Sequence, residues 1–329
     1  MGYGLSLNEF KLNTAIIPII AIIAVITGIG IGMALTSTSE SQIQEIPEQS
    51  LEKLVVAVVP QGDIKKFEAQ EKMLEDYFVD KIGMQVEIFY PIDDTTTLAS
   101  IKSGTTHVAF MSSRPALLAN EQNGGNVLAF MADLKPFKTE SGNEILGTSY
   151  MSQYWTLKER NDINTLQDMR GKSAAFSGPL STGGYLFPVA ELVHQNLLPS
   201  GDDPKGFFSN ILFSGGYHQS LIALLNGEVD VAAGDDWAVF TFLTPEEQSR
   251  IKVIKDFGPV PTHSAVYNAD LVDPETIAKF EKAMIDLKNE KPELMDKTLF
   301  GSTQYVPVNH YEHLQTLIDA LDLTKIPHI

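Results

Sequence analysis

The sequence contains no cysteine, and basic residues are scarce in it. Without cysteine the chain can form no disulfide, no thiolate metal site, no cysteine nucleophile and no lipid-modified N-terminal cysteine. Its 42 acidic residues outnumber its 24 basic residues, which gives a formal net charge of −18, and no block of the chain is rich in lysine or arginine. Because nucleic-acid binding needs a basic surface, we expect no nucleic-acid partner.

Motifs for nucleotides and metals are missing as well. The chain has no G-x-x-x-x-G-K-[ST] loop, and its seven histidines lack the H-x-x-x-H spacing near carboxylates that helical metal sites use. The sequence therefore predicts no cofactor and no bound metal.

One segment near the N-terminus is almost free of polar residues. Residues 15–35 (AIIPIIAIIAVITGIGIGMAL) carry no charge, and a helix of this length crosses a hydrocarbon layer of ~30 Å. We interpret the segment as an uncleaved single-pass transmembrane anchor, since it is longer than the apolar core of a signal peptide, which stays the alternative. Lys11 precedes it and no basic residue follows before Lys53, so residues 1–14 are expected in the cytoplasm and the remainder outside. Residues 36–53 are expected to form a flexible linker.

From residue 54 onward strands and helices alternate. The β-branched run 54–59 predicts a buried parallel strand, and two helix–strand units follow it up to residue 111. A second α/β set lies between residues 173 and 257, and two helices, 274–289 and 310–321, end the chain. This order predicts two doubly wound α/β lobes with a hinge and a ligand cleft. We assign residues 54–150 and 264–329 to lobe 1 and residues 151–263 to lobe 2.

Two glycine-rich segments lie where predicted strands run into helices, the place where open α/β sheets bind ligands. FSGPLSTGGYLFP (176–188) puts Ser181, Thr182 and Gly183 at a helix start. Their hydroxyl and N–H groups suit an oxyanion, although simple capping of the helix explains the same residues. FSGGYHQS (213–220) brings His218 to the first turn of another helix, where it can donate to an anion or be solvated.

Two further strand ends carry polar side chains. VDVAAGDDW (229–237) places Asp235 and Trp237 just beyond a strand, and MSSRP (111–115) does the same for Arg114. Arg114 is interpreted either as an anion contact or, preferably, as a solvent-facing residue at a helix start.

Ser181, His218 and Asp235 also supply the residue types of a hydrolase triad. The serine lies in G-P-L-S-T-G rather than in G-x-S-x-G, so the strained turn that exposes a nucleophile is missing. We therefore expect a binding protein rather than an enzyme and keep a membrane-anchored serine hydrolase as the alternative.

Two collinear segments resemble the phosphonate-binding proteins of ABC importers, a branch of the type 2 periplasmic binding proteins. Residues 147–188 (GTSYMSQYWTLKERNDINTLQDMRGKSAAFSGPLSTGGYLFP) are similar to the family's aromatic residue before a hinge strand, its I-x-x-L-x-D-L-x-G-K helix and its S-T-S-G-Y-L-x-P. Residues 207–233 (FFSNILFSGGYHQSLIALLNGEVDVAA) are similar to its F-x-x-V-x-x-x-G-x-H-x-x-S-x-x-A-V-x-x-G-x-V-D. The resemblance extends over residues 54–270.

The resemblance implies how the oxyanion is held. Ser181 and Thr182 would bind it through hydroxyl and amide donors, and Gly183 would add an N–H. His218 would donate from the neighbouring helix start, and Tyr150 would donate its hydroxyl from beside the hinge. A tetrahedral oxyanion needs several convergent donors, which these positions supply.

The sequence departs from the family pattern at the positions that bind an amine. Family members that take aminoalkylphosphonates place acids against the ammonium group, and the matching positions here are Trp237 and His263. Asp94 stands where the family has an aromatic ligand contact, and Asp235 or Asp236 stays a candidate for the lost acid. The resemblance thus implies a ligand without an amine.

The expected protein is a membrane-anchored, extracytoplasmic solute-binding protein. It would bind a small alkylphosphonate, phosphite or phosphate and deliver it to an ABC permease. Another small ligand, such as a sulfonate, is the alternative within the same fold.

Overall fold

The computed structural model describes residues 51–58, 65–138, 144–294, 302 and 304–327. This part of the chain belongs to one compact unit. The predicted anchor, residues 15–35, lies outside the described residues. Among the residues that are described, no helix is both long and apolar enough to cross a membrane.

The strands, in chain order, are β1 (Lys53–Val58), β2 (Gln85–Phe89), β3 (Val108–Met111), β4 (Val127–Asp133), β5 (Lys135–Lys138), β6 (Glu144–Gly147), β7 (Ser149–Leu157), β8 (Ser173–Phe176), β9 (Asn210–Phe213), β10 (Val231–Asp235), β11 (Ile251–Pro261), β12 (Ser264–Asn268) and β13 (Tyr305–Pro307). The helices are α1 (Lys65–Ile82), α2 (Asp94–Lys102), α3 (Ser113–Gln122), α4 (Phe187–His194), α5 (Tyr217–Leu225), α6 (Ala238–Phe242), α7 (Pro245–Arg250), α8 (Pro274–Glu290) and α9 (His310–Thr324). A π-helical turn, Thr182–Leu186, leads into α4.

The first sheet has six strands in the order β13-β4-β12-β3-β1-β2. β1 lies between β2 and β3 and is parallel to both, which confirms the predicted βαβαβ unit at the start of the described chain. β12 is antiparallel to β3 and β4, and β13 is antiparallel to β4. The sheet is therefore mixed rather than wholly parallel.

The second sheet has five strands in the order β11-β7-β10-β8-β9. β10, β8 and β9 are parallel neighbours, whereas β7 is antiparallel to both β10 and β11. The chain passes between the two sheets beside the ends of β7 and β11, where the amide of Thr262 donates to the carbonyl of Thr148 (3.1 Å). The mixed α/β fold that the sequence predicts is confirmed.

Each sheet has its own hydrophobic cluster. In the first, Phe78 of α1 stacks on Phe280 of α8 with ring centroids 4.7 Å apart, and both rings are fully buried. In the second, Tyr154 and Phe176 pack with helix α4. The lobe boundaries drawn from the sequence remain a prediction. The sequence analysis assigned the C-terminal helix α9 to lobe 1. Its buried leucines Leu314, Leu317 and Leu321, however, belong to the hydrophobic cluster of the second sheet.

Candidate functional site

A cavity of about 460 Å³ opens at the strand ends of both sheets. One wall consists of the segments that follow β2 and β3 and of the link between β11 and β12. The other wall consists mainly of the segments that follow β8 and β9. Polar side chains from both walls line it, namely Asp93, Asp94, Thr95, Ser112, Ser177, Ser181, Tyr217, His218, Gln219 and His263. Its size and its few convergent polar groups are typical of small-molecule sites.

The turn after β8 supplies Ser181. Its hydroxyl accepts a hydrogen bond from the amide of Gly184 (3.0 Å) and so caps the π-helical turn. A hydroxyl that accepts one N–H still has its own proton to donate. Capping and anion binding are therefore compatible at Ser181.

Thr182 links the two walls of the site. Its side chain is 3% exposed, and its hydroxyl oxygen accepts a hydrogen bond from the amide of Arg114 at the start of α3 (3.0 Å). Arg114 itself is 1% exposed, and its guanidinium donates to the carbonyls of Pro179 and Pro327. The interpretation of Arg114 as a solvent-facing residue is therefore wrong, because the guanidinium is buried against main-chain acceptors.

Gly183 packs directly against Tyr150. A Cβ atom on Gly183 would lie 2.4 Å from the Tyr150 hydroxyl oxygen, so only glycine permits this approach. That hydroxyl is 3.3 Å from the hydroxyl of Tyr217. Burial raises the pKa of both phenols above the usual value, so both stay protonated and can donate.

The two histidines have different surroundings. His218 is exposed at the start of α5 and stacks on Phe242, with ring centroids 5.4 Å apart. The Nδ1 atom of His263 lies 3.4 Å from Oδ2 of Asp133. Burial opposes ionisation of Asp133, but His263, Lys135 and Ser302 outweigh it and hold the pKa of that carboxyl well below its usual value.

Two acidic side chains at the site resist ionisation. Burial raises the pKa of Asp94 to about 7, with Asp93 adding to the effect. Burial also raises the pKa of Asp235, which is 2% exposed, well above its usual value. One carboxyl oxygen of each, Oδ1, is buried without a hydrogen-bond partner among the described residues.

Trp237 lies at the end of this region rather than on the cavity wall. The Lys135 ammonium nitrogen is 4.9 Å from the centroid of its ring, and the ring of Phe242 is 5.9 Å away. Lys135 in turn pairs with Asp133 (3.2 Å). The indole therefore lies between a buried cation and a ring that lines the cavity.

The structure divides the nine predicted site residues into two groups. Four line the cavity, namely Asp94, Ser181, His218 and His263. The other five do not line it: Tyr150, Thr182, Gly183, Asp235 and Trp237. Tyr150 and Trp237 contact lining residues, Asp235 is an acidic neighbour of Tyr217, Thr182 follows Ser181 in the chain, and Gly183 packs on Tyr150.

Sequence reasoning missed Tyr217 and Ser177, which also line the cavity. Both lie inside segments that the sequence analysis identified, since Ser177 directly follows β8 before the Ser181 turn and Tyr217 precedes His218. The Oγ atom of Ser177 is buried and has no hydrogen-bond partner in the described part of the chain.

The serine, histidine and aspartate of a hydrolase triad are present, but in the described part of the chain the histidine is not hydrogen-bonded to the other two. His218 stacks on Phe242, and Ser181 accepts from Gly184. Within the described residues no hydrogen bond connects His218 to Ser181 or to Asp235. This geometry lacks the base–nucleophile contact of a triad.

Comparison with known proteins gives a consistent result. The family model for the phosphonate periplasmic substrate-binding protein of ABC transporters matches residues 56–313, well over half of the chain. Among curated proteins, the phosphate-import protein PhnD of Mycolicibacterium smegmatis is 25% identical over 189 residues, which cover 57% of this chain and 56% of that protein. The chain thus spans little more than half the length of this relative.

Solved structures share the fold at low sequence identity. A binding-protein component of an ABC phosphonate transporter from Pseudomonas aeruginosa has a TM-score of 0.64 and 18% identity, covering 82% of this chain and 87% of its own. PhnD1 from Prochlorococcus marinus in complex with methylphosphonate has a TM-score of 0.65 and 14% identity, covering 84% and 99%. A chloride-bound protein of Xanthomonas citri has a TM-score of 0.67 and 18% identity, covering 84% and 99%. These similarities show the fold alone.

Proposed function

Because the chain belongs to the family of periplasmic substrate-binding proteins of phosphonate ABC transporters, we propose that its cavity binds a small phosphorus oxyanion for delivery to an ABC permease. The ligand is an alkylphosphonate, phosphite or phosphate. Members of this family bind solutes outside the cytoplasm, and the chain is not an enzyme. The observation that carries the proposal is the convergence of hydroxyl and imidazole donors on one cavity.

Donors dominate the wall that follows the second sheet. Ser181 has a proton to donate after it has capped its turn, Tyr217 stays protonated, and His218 stands at the start of α5. Hydrogen bonds from such groups to an anion are stronger than those between neutral partners. Tyr150 and Thr182 support this wall, since Tyr150 contacts Tyr217 and Thr182 follows Ser181 in the chain. Gly183 supports it indirectly, because it packs on Tyr150.

Several observations favour a ligand without an amine. Asp235 does not line the cavity, and its burial favours the neutral carboxyl, which cannot pair with an ammonium. Trp237 and His263 stand at the positions where the resemblance would place the acids for an amine. Two other acids, Asp93 and Asp94, do line the cavity, but Asp93 caps helix α2 and burial raises the pKa of Asp94 to about 7. An anion without a positive group therefore fits these side chains best.

The mechanism is binding with closure. Both walls contribute lining residues, so a ligand held by both favours the closed arrangement and shifts the population toward it. The paired strands β7 and β11, beside which the chain crosses between the sheets, are the proposed hinge. The apolar segment 15–35 is proposed to anchor the protein in the cell membrane, close to the permease.

The test is a calorimetric ligand panel with the full chain in a phosphate-free buffer. Methylphosphonate, phosphite and phosphate are compared with 2-aminoethylphosphonate. We expect binding of at least one of the first three and weaker binding of the amine-bearing ligand. Absence of binding by every phosphorus oxyanion would overturn the proposal.

Tyr217→Phe tests the donor wall directly. Loss of a hydrogen bond to a charged ligand is worth about 1.5–3 kcal/mol, so affinity should fall by about tenfold or more. Tyr267→Phe is the matched control, since Tyr267 lies at the other end of β12 from His263 and packs on Phe130. Equal affinities for the two variants would remove Tyr217 from the site.

A further inference from the structure

Asp94 is one of two acids on the cavity wall, and the other is Asp93. It lies on the cavity wall, and its Oδ1 atom is buried without a hydrogen-bond partner among the described residues. Asp94 is not needed to cap helix α2, because the side chain of Asp93 does so by accepting a hydrogen bond from the amide of Thr96 (2.7 Å). Asp94 is therefore free to contact whatever occupies the cavity.

An ionised carboxylate and an oxyanion offer only acceptors to each other, so they repel unless a proton lies between them. Phosphorus oxyanions lose their last proton near neutral pH and so carry an acidic O–H over part of the physiological range. Sulfonates carry no such proton at any ordinary pH. The presence of Asp94 thus distinguishes between tetrahedral anions of the same shape.

We propose that the carboxyl of Asp94 and the bound oxyanion share one proton, so that the cavity favours phosphorus oxyanions, which bring an acidic O–H, over sulfur oxyanions, which do not. The inference rests on the proposed function of the cavity and names the residue that sets its selectivity. When the ligand brings no proton, binding must take one from solution.

The environment of the carboxyl supports this role. Burial raises the pKa of Asp94 to about 7, and Asp93 is the charged neighbour that adds to the shift. Helix α3 packs against α2 and carries Arg114 and Glu121, but the Arg114 guanidinium is directed to two main-chain carbonyls. Across the cavity lie His218 and His263. Both are unchanged in the Asp94 variants, so their effect on a bound anion is common to those variants and the unsubstituted chain.

The test uses the full chain and methanesulfonate, a probe that never brings a proton. Below pH 7 Asp94 is largely neutral and donates to the probe. Above about pH 7 the affinity should fall about tenfold per pH unit, because each binding event takes up one proton. Asp94→Asn removes this dependence, so at about pH 9 it should bind methanesulfonate about 100-fold more tightly than the unsubstituted chain.

Asp202→Asn is the matched control. It removes one negative charge from an exposed side chain that does not line the cavity, so it should follow the unsubstituted pH profile. The affinity ratio of methylphosphonate to methanesulfonate at about pH 8 should fall in Asp94→Asn and stay unchanged in Asp202→Asn.

Three outcomes overturn the inference. The first is a methanesulfonate affinity that does not weaken above pH 7 in the unsubstituted chain, a measurement that needs no variant to fold. The second is absence of methanesulfonate binding even at about pH 6, where a neutral Asp94 should accept it. The third is an identical pH profile in Asp94→Asn. If methylphosphonate binds in all three cases, the proposed function stands and only the role of Asp94 fails.

Discussion

At the scale of single residues, the closest approach in the site is between Gly183 and the ring of Tyr150. The hydroxyl oxygen and two ring carbons of Tyr150 would lie within 3.0 Å of a Cβ atom on Gly183. The ring has little room to move, since Tyr150 is 6% exposed and its hydroxyl faces that of Tyr217. The absence of a side chain at Gly183 therefore positions two tyrosines at once.

Gly183→Ala should destabilise the protein, although alanine is the better helix former. Overpacking of this kind lowers the free energy of unfolding by about 1–3 kcal/mol, which chemical denaturation measures. Tyr150→Phe in the same chain should recover part of the loss, because the hydroxyl oxygen is the nearest atom.

Gly206→Ala is the control for this substitution. Gly206 has open space around it and no left-handed backbone angle, so alanine there should leave the free energy of unfolding unchanged or slightly higher. An equal loss at both glycines would show that the Tyr150 contact is not the cause.

The sequence pattern identified some residues of the site, but it did not show which side chains they contact. Ser181 and His218 were identified because glycine-rich turns after strands leave N–H and hydroxyl groups free, and both line the cavity. Tyr217 was missed because an aromatic residue beside a glycine pair has no pattern that separates a ligand contact from a core residue. Its position on the cavity wall, beside the Tyr150 hydroxyl, emerges only from the structure.

At the scale of elements, helix α3 and the π-helical turn meet through one hydrogen bond. The amide of Arg114 is one of the unpaired N–H groups at a helix start, and the Thr182 hydroxyl satisfies it from the other wall. Ser112, the N-cap residue of α3, makes no side-chain capping bond. Thr182 thus caps a helix from outside it.

Thr182→Val keeps the shape of the side chain and removes the hydroxyl. It leaves a buried N–H unsatisfied, so the free energy of unfolding should fall by about 1–3 kcal/mol, and ligand affinity should fall with it. Thr182→Ser keeps the hydroxyl and should retain most of both quantities. Urea denaturation and calorimetry with methylphosphonate measure the two effects, and a Val variant as stable as the Ser variant would contradict the capping role.

The elements that the sequence failed to predict lack a distinct periodicity. In α3 the residues 113–120 are all buried, so no polar stripe marks a helix face. β4 is a continuous apolar run buried along nearly its whole length, and such runs do not separate strand from helix. By contrast α8 and α9, which have a polar face, were predicted within a few residues of their ends.

At the scale of the whole molecule, the pairing of distant strands could not be predicted from the sequence. β12 inserts between β3 and β4, and β13 adds to the outer edge of β4, although more than a hundred residues separate these segments in the chain. The parallel β2-β1-β3 order follows from local βαβ units. The antiparallel additions depend on where the chain returns from the second sheet, which no local pattern encodes.

The net charge of −18 and one buried histidine have opposite effects on stability in acid. His310 is 4% exposed, and its Nδ1 atom accepts a hydrogen bond from the amide of Ala129 (2.9 Å), a contact that ties α9 to β4. Burial lowers the pKa of His310 from 6.5 to about 4, with His313 contributing. Acid also neutralises surface carboxylates, which relieves repulsion and stabilises the folded chain.

The folded pKa of His310 lies below the unfolded value, so its contribution is complete above pH 6.5 and is lost as the pH falls toward 4. The loss amounts to about 3 kcal/mol of unfolding free energy at most. His310→Asn keeps an acceptor near the Nδ1 position and cannot be protonated, so its unfolding free energy should fall less between pH 6.5 and 4 than that of the unsubstituted chain.

The control is His194→Asn, at a side chain that is 69% exposed, and it should follow the pH profile of the unsubstituted chain. Urea denaturation across this pH range measures all three, and parallel curves for the three chains would show that the surface charge alone governs the response to acid.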